Sequence, residues 1–329
     1  MTSVQATIEN RPSRQHLDRP ASDQHQVFQD LICFQAQNEN AARLSLALRL
    51  EDEKAITAET TVRTWSVRGT MHIAEPADAE ALVLIARERN DKETNRVLTN
   101  HGLSPAEVSQ VRDLVTGIML DNGLTSRETL YDAVATRHGK HIADEAITPW
   151  GGVLKLVASQ YLLHATKPQG TQTHFRVVRE LPPLSSVDAL TQFGQDLLSR
   201  FDVGYGPSTG EHFAQWVGVS KSALKKAVGE KLITAGASAS FRKADPQVVI
   251  LPEFDPYVIS HASREAIFPD SRVLSGTVRK AGWISSCILV DGVIRGFRNP
   301  GRPVAFSVEK EVAQRVSVAY PDIRLRALT

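Results

Sequence analysis

The chain is poor in cysteine and in long apolar runs, and each shortage excludes a class of protein. It has only two cysteines, Cys33 and Cys287, which lie far apart in apolar surroundings. This favours buried structural thiols and predicts neither a disulfide nor a metal site. No stretch approaches the roughly 18 apolar residues that span a bilayer, and the N-terminus has no apolar signal region. We therefore expect a cytoplasmic protein without a membrane segment.

Net charge is also low, while composition is that of a folded protein. Hydrophobic residues make up 42% of the 329 residues and charged residues 23%, and the formal net charge is +1. A nucleic-acid partner would therefore need positive charge segregated onto one face. The length exceeds what one hydrophobic core usually organises, so several subdomains are expected.

The N-terminal third shows three helical patterns followed by a β-prone segment, which predicts a winged helix. Ser22 or Asp23 caps a first helix whose apolar residues recur to Phe34. Further helices are predicted over residues 40–50 and 58–65, and a strand over residues 70–74.

The same order of elements occurs twice more. Capping boxes are predicted at Thr125 to Glu128 and at Ser208 to Glu211. The first box precedes an apolar helix over residues 152–164 and a strand near 171–178. The second precedes a helix that Gly218 ends, a candidate recognition helix from Ser220 to Lys231, and a possible wing from Leu232 to Phe241. Connecting helices are predicted from a capping box at Ser104 to about Asn122, and over residues 185–201.

Short apolar runs after residue 246 predict a small antiparallel β-sheet or β-barrel, with strands that include residues 273–278. Asp291-Gly292 between two such runs is a strong hairpin signal, because both residues tolerate positive φ. Residues 309–319 form a predicted last helix. The fold class is thus α+β, with a flexible leader (1–20), three winged-helix units (21–103, 104–184 and 185–245) and the β-barrel or sheet (246–329).

Four segments occur in a characteristic order between about residue 11 and residue 298. They are Gln35-Ala36-Gln37, TVRTWSVRGTMHI from Thr61, GEHFAQWVGVS from Gly210, and VILPEFDPYVISHASRE from Val249 with LVDGVIRG after it. In this combination the chain resembles the winged-helix DNA glycosylases of the AlkZ/YcaQ family, which includes azinomycin-resistance and interstrand-crosslink enzymes. It departs from that family at Asn38, where an acidic residue is common, and at Gly296–Pro300, where Gly-x-Trp-Arg is usual.

The resemblance implies tandem winged helices and a β-barrel arranged around a DNA duplex. It also implies hydrolysis of the N-glycosidic bond of N7-alkylated purines, including crosslinked guanines, without a cofactor. Gln35 and Gln37 map onto the family's catalytic Q-x-Q motif. The expected partner is double-stranded DNA carrying alkylated purines, and we expect a monomer.

Glutamine suits such a substrate. Alkylation at N7 makes the base cationic, so it leaves the sugar as a neutral molecule and needs little help from a general acid. What remains is to hold a water below the anomeric carbon and to stabilise an oxocarbenium-like transition state. An amide carbonyl accepts a hydrogen bond from water but cannot take its proton. A neutral base such as uracil should therefore be a poor substrate.

Geometry adds a condition on this pair. Residues two apart on an α-helix project about 200° from each other, so both amides cannot reach one water from a helix interior. The helix must therefore end at the motif. The alternative interpretation is a polar helix end whose amides cap backbone groups.

Other basic residues are candidates for DNA contact, each with a structural alternative. Arg63, Arg68 and His72 could contact phosphates or bridge the first wing to a neighbouring element, and Trp65 is interpreted as a core residue. The remaining candidates lie on the recognition helix and on a β-loop, where an ordinary solvated surface is the alternative: Lys221, Lys225, Lys226, Arg279 and Lys280.

Two carboxylates and two histidines complete the candidates. Glu253 and Asp255 could act as acid and base, Asp255 alone could orient a water, or both could belong to a structural turn. His138 and His141 have no acidic or cysteine partners at ligand spacing, so no metal site is predicted. The function alternative is a non-catalytic winged-helix DNA-binding protein, either a regulator or a damage-binding module.

Overall fold

The structure is a computed structural model that describes residues 3–166, 172–182, 187–206, 208–229, 244–260, 264–300 and 305–328. The helices are, in chain order, α1 (Ser3–Arg14), α2 (Gln24–Leu31), α3 (Glu39–Ala47), α4 (Pro76–Asn100), α5 (Pro105–Asn122), α6 (Arg127–His138), α7 (Lys140–Ala146), α8 (Val153–Gln160), α9 (Val187–Tyr205), α10 (Gly210–Val217), α11 (Lys221–Val228), α12 (Pro256–Ile259), α13 (Arg264–Ile267), α14 (Ser271–Thr277) and α15 (Ala313–Ala319). The strands are β1 (Cys33–Gln35), β2 (Val62–Trp65), β3 (Met71–Ala74), β4 (Thr125–Ser126), β5 (Tyr161–Ala165), β6 (His174–Glu180), β7 (Val248–Leu251), β8 (Cys287–Val290), β9 (Val293–Arg298), β10 (Ala305–Val308) and β11 (Arg324–Ala327).

These elements form two compact units, and neither is continuous in sequence. The first unit comprises residues 1–57, 197–213 and 233–329, and the second comprises residues 58–196 and 214–232. Among the described residues, no helix is both long and apolar enough to cross a membrane. The division into three winged helices stays a prediction, and the possible wing from Leu232 to Phe241 lies outside the described residues.

The first unit is organised by a mixed five-stranded sheet with the order β11-β10-β9-β8-β7. Alternate residues of β8 face opposite sides: Cys287 and Leu289 pack into one apolar cluster, Ile288 and Val290 into another. The predicted hairpin is confirmed, since Val290 pairs with Val293 across a turn with positive φ at both central residues.

Of the two predicted forms, the described strands form the sheet and not a closed barrel, and the sheet is not entirely antiparallel. Strand β11 pairs with β10 in parallel, and β7 and β11 are the two edges of an open sheet among the described residues. Residues 273–277 are not a strand but belong to α14, because Asp270 caps a helix there and Val273 and Thr277, four residues apart, share its buried face. Val278 follows the helix and forms an isolated antiparallel bridge with Ile284.

The expectation of a flexible leader over residues 1–20 is also wrong. Residues 3–14 form α1, and Arg11 is only 1% exposed. Its guanidinium donates to the backbone carbonyls of Tyr205 and Tyr257 and lies over both rings. Arg11, which the sequence places in a polar segment, is thus buried, because carbonyl oxygens and aromatic rings replace the water around its guanidinium.

The core of the second unit lies between helices α4, α5, α6 and α8 and the β4-β6-β5 sheet. The predicted capping box at Ser104 and Glu107 is present and starts α5. Trp65 is buried and stacks on Phe175 with ring centroids 5.8 Å apart, as expected for a core residue. The 25-residue helix α4 was not predicted, since its second half is almost entirely polar.

Several predicted boundaries in the second unit shift for a structural reason. Residues 62–65 form β2, paired antiparallel with β3, rather than the end of a helix, because Val, Thr and Trp favour a pleated strand. The helix predicted over residues 152–164 stops at Gln160 and continues as β5. The cap of α6 is Ser126 rather than Thr125.

The helices around Gly218 follow the sequence closely. Thr209, not Ser208, accepts the hydrogen bond of the His212 amide at the start of α10, because Ser208 is bound to Asp202. Gly218 follows α10 with φ of +87°, a conformation that suits glycine. Ser220 caps α11 as predicted.

Candidate active site

The chain leaves helix α2 just before the glutamines, as the geometric condition requires. Asp23 caps the start of α2, and the helix ends at Leu31 rather than Phe34. Ile32 then takes φ 67° and ψ −57°, a γ-turn conformation that is rare for a β-branched residue. This sharp turn converts the helix into strand β1, which ends at Gln35.

The two side-chain amides lie against each other where strand β1 ends. Nε2 of Gln35, the last residue of β1, donates to Oε1 of Gln37 over 2.6 Å. Ala36 between them is fully buried, while Gln35 is half-buried and Gln37 is exposed. An amide has two donor hydrogens and two acceptor lone pairs, so the mutual bond uses part of the pair's capacity to bind water.

Asn38 connects this motif to a distant carboxylate of the same unit. Its Oδ1 accepts from the Ala41 amide at the start of α3, and its Nδ2 donates to Glu253 Oε2 over 3.1 Å. The other oxygen of Glu253 lies 3.4 Å from Nη1 of Arg298. The Glu253 side chain is 18% exposed, so it is partly buried but still in contact with solvent.

Asp255 has a different environment two residues later. Its carboxylate binds both terminal nitrogens of Arg49, at 3.0 and 2.8 Å, and accepts from Ser45 Oγ and the Tyr257 amide. The side chains of Asp255 and Arg49 are both 0% exposed. A carboxylate with all these partners and no access to water cannot orient a reacting water, so Asp255 is structural.

The residues of the Thr61–Ile73 segment predicted to contact DNA have internal contacts in the second unit. The backbone N–H of Arg63 donates to Nδ1 of His164, and the guanidinium of Arg68 donates to the carbonyl of Trp216. The bridging alternative is thus present for Arg68. Contact of Arg63 and Arg68 with phosphate stays a prediction.

His72 is buried and uncharged at neutral pH. Burial and the nearby Arg68 guanidinium lower its pKa to about 3, against the opposing effect of the Thr70 carbonyl. Because Nδ1 is 3.0 Å from that carbonyl oxygen, Nδ1 carries the proton and Nε2 is the acceptor. His72 can therefore offer a phosphate no positive charge, and its part in DNA binding stays a prediction.

The remaining predicted DNA contacts differ in their internal contacts. Lys221, Lys225 and Lys280 are exposed. Lys226 is also exposed, but its Nζ lies 3.4 Å from Glu88. Arg279 donates to the carbonyls of Gly276 and Arg298, so its guanidinium holds the loop before β8.

The sequence analysis identified Asn38, Glu253 and Asp255, but it did not predict the side chains that they contact. Arg49 and Arg298, which bind the two carboxylates, carry no sequence signal, because each lies over 40 residues away along the chain. Cys33 and Cys287 are buried, as expected. Within the described ranges, no cluster of three or more His, Cys, Asp or Glu side chains could hold a metal ion.

Comparisons with known proteins all lead to one family of DNA glycosylases. The family model "DNA glycosylase AlkZ-like" matches residues 28–303. An interstrand DNA cross-link repair glycosylase of Streptomyces sahachiroi is 25% identical over 325 residues, covering 87% of this chain and 85% of the relative. The solved structure of the Streptomyces sahachiroi DNA glycosylase AlkZ matches with a TM-score of 0.73 at 21% identity, over 99% of this chain and all of that one. That likeness establishes a shared mixed α and β fold.

Proposed function

This chain belongs to the AlkZ-like family of DNA glycosylases, and we propose that it hydrolyses the N-glycosidic bond of cationic N7-alkylated guanine in duplex DNA. The observation that carries the proposal is the pair of amides, Gln35 and Gln37, which are joined by a hydrogen bond where strand β1 ends. A non-catalytic DNA-binding role is not favoured, because the family consists of glycosylases.

The pair would act by holding a water rather than by taking its proton. The water oxygen bonds to the anomeric carbon as the glycosidic bond breaks, and the bond's electron pair neutralises the cationic base, which departs. The amide carbonyls accept hydrogen bonds from the water and lie against the developing positive charge on the sugar. The released proton goes to solvent, since neither amide can bind it at neutral pH.

The carboxylates near the motif support this division of roles. Asp255 is sealed in its ion pair with Arg49, and Glu253 already accepts hydrogen bonds from Asn38 and Arg298. With no solvated carboxylate among these groups to act as general base, the reaction depends on a leaving group that is already activated. The selectivity for charged lesions follows from that dependence.

Crosslinked guanines are proposed as a further substrate, in alkylation repair or in antibiotic self-resistance. A relative of similar length acts in interstrand cross-link repair, and a crosslink through N7 leaves each guanine cationic like a simple methyl adduct. We further propose that the exposed Lys221, Lys225 and Lys280 contribute phosphate contacts, since positive charge at the surface can reach the backbone of DNA.

Release of 7-methylguanine from a methylated duplex tests the function. The wild type should release it, whereas a uracil-containing duplex should stay intact. Gln35→Ala and Gln37→Ala should each lower the single-turnover rate about 10²-fold or more, as for the loss of one oriented polar group in an active site. Gln26→Ala, at an exposed position of α2, is the matched control and should keep full activity.

Two results would contradict the proposal in different ways. Absence of 7-methylguanine release by the wild type would remove the substrate assignment. Unchanged release by both glutamine variants would remove the site assignment while leaving the substrate in place.

A further inference from the structure

We propose that Glu253 is a positioning residue for the glutamine motif and acts through the side-chain amide of Asn38. The inference rests on the proposed catalytic role of Gln35 and Gln37. It assigns a role to a half-buried carboxylate that the glycosylase reaction, as argued above, does not use as a base.

Asn38, the residue that directly follows Gln37, makes two side-chain hydrogen bonds. Its Oδ1 caps α3 at the Ala41 amide, and its Nδ2 donates to Glu253 over 3.1 Å. A carboxylate accepts hydrogen bonds and cannot donate them. Glu253 therefore sets the orientation of the Asn38 amide, with its nitrogen toward Glu253 and its oxygen left to cap the helix.

The turn that carries Glu253 has an unusual backbone conformation. Phe254, between the two carboxylates, takes φ of +59°, and its ring packs edge-on against Trp283 with centroids 4.8 Å apart. A bulky residue holds such a conformation only where its surroundings determine it. The turn thus has a fixed conformation, which fixes the positions of Glu253 and Asp255.

These two carboxylates hold opposite ends of α3. Asp255 binds Ser45 and Arg49 near the end of the helix, and Glu253 binds Asn38 at its start. A helix held at both ends cannot slide or rotate by the fraction of an ångström that would move Gln37. Arg298, 3.4 Å from Glu253, keeps the carboxylate itself in place.

Exchange of the hydrogen-bond polarity tests this arrangement. Asn38→Asp would still cap α3 but would face Glu253 with a second carboxylate. In the double variant Asn38→Asp with Glu253→Gln, the new amide at position 253 can donate to the new carboxylate at position 38, so the contact is restored in reverse. Glu253→Ala removes the contact, and Glu253→Gln keeps an acceptor for Asn38. Glu51→Ala, at an exposed position of the same unit, is the control.

The measurement is the single-turnover rate of 7-methylguanine release, together with affinity for the methylated duplex. Glu253→Ala and Asn38→Asp should each lower the rate about tenfold, because small displacements of a positioned group are costly. Duplex affinity should stay within about twofold, since phosphate contacts dominate it. The rate of Asn38→Asp should recover as the pH falls and one carboxylate of the pair takes up a proton. The double variant and Glu253→Gln should regain most of the wild-type rate.

The opposite pattern would overturn the inference. If Glu253→Ala releases base at the wild-type rate while Gln37→Ala does not, the positioning role fails and the function stands. If the double variant is as slow as Asn38→Asp, the contact between residues 38 and 253 does not position the motif.

Failure of the proposed function would appear separately. If the wild type releases no 7-methylguanine, the coupling between residues 38 and 253 can still be measured by urea unfolding. The four proteins compared are the wild type, Asn38→Asp, Glu253→Gln and the double variant. Additive effects of the two substitutions would then count against the contact itself.

Discussion

The two ends of helix α3 receive similar side chains from the same turn, yet their environments differ. At the start, Asn38 and Glu253 lie beside an exposed glutamine. Near the end, Arg49 and Asp255 form an ion pair that is 0% exposed. Burial, rather than residue type, therefore decides whether a polar contact contributes to stability or to the position of a side chain.

The second unit repeats the contrast. His72 is 3% exposed and loses its charge to burial, whereas Lys225 on α11 is exposed. Removal of a buried polar group should therefore change folding, and removal of an exposed one should change binding or catalysis. The following predictions test that division, beginning with the largest effect.

Asp255→Ala should lower the free energy of unfolding by about 3–5 kcal/mol, because it leaves the Arg49 guanidinium buried without a counter-charge. Urea unfolding monitored by circular dichroism measures this. The double variant Arg49→Met with Asp255→Ala should lose less than Asp255→Ala alone. A double variant less stable than the single one would show that the ion pair is not the reason for the loss.

His72 should make stability depend on pH. Its folded pKa of about 3 lies below the ordinary value of 6.5, so its contribution is complete above about pH 6.5 and is lost as the pH falls toward 3. Between pH 7 and pH 5 the free energy of unfolding should fall by about 2 kcal/mol from this residue. In His72→Asn, whose amide can still donate to Thr70, the fall should be smaller by that amount. Parallel curves for the two proteins would show that His72 is not the source.

Lys225→Ala should weaken duplex binding and reduce the slope of log affinity against log salt by about 0.9, the value for one phosphate contact. Lys226→Ala should change the slope less, because Lys226 is already paired with Glu88. Fluorescence anisotropy at several salt concentrations measures both slopes. Equal slopes for both variants and the wild type would remove α11 from the DNA interface.

Gln37→Ala should change the free energy of unfolding by less than about 0.5 kcal/mol, as expected for an exposed position. The same urea unfolding that is used for Asp255→Ala provides the comparison. A loss above that range would mean that Gln37 is part of the folded core's support, and the contrast between the two ends of α3 would disappear.

The sequence predicted local features well where the chemistry is local. The capping box of α5, the Asp291-Gly292 hairpin and the end of α10 at Gly218 all depend on residues within one turn. The flexible leader and the purely antiparallel C-terminal strands were predicted wrongly, because both depend on distant partners: the carbonyls that bind Arg11, and the parallel pairing of β11 with β10.

The candidate site divides in the same way. The glutamine motif was evident from the sequence, and so was the need for the helix to end before it. The sequence could not predict that Ile32 makes that turn, or that the side-chain amides of Gln35 and Gln37 lie 2.6 Å apart. Periodicity favoured a helix to Phe34, and only packing around the buried Ile32 overrides that preference.

The residue types that would carry the proposed chemistry, their order along the chain and the kind of lesion that suits an amide pair were predictions from the sequence alone. These follow from bonds and charges that each residue brings with it. The burial of Asp255, the contact of Glu253 with Asn38 and the neutral state of His72 follow from the tertiary structure alone. Those properties depend on desolvation and on partners far apart in the chain, and both arise only when the elements pack.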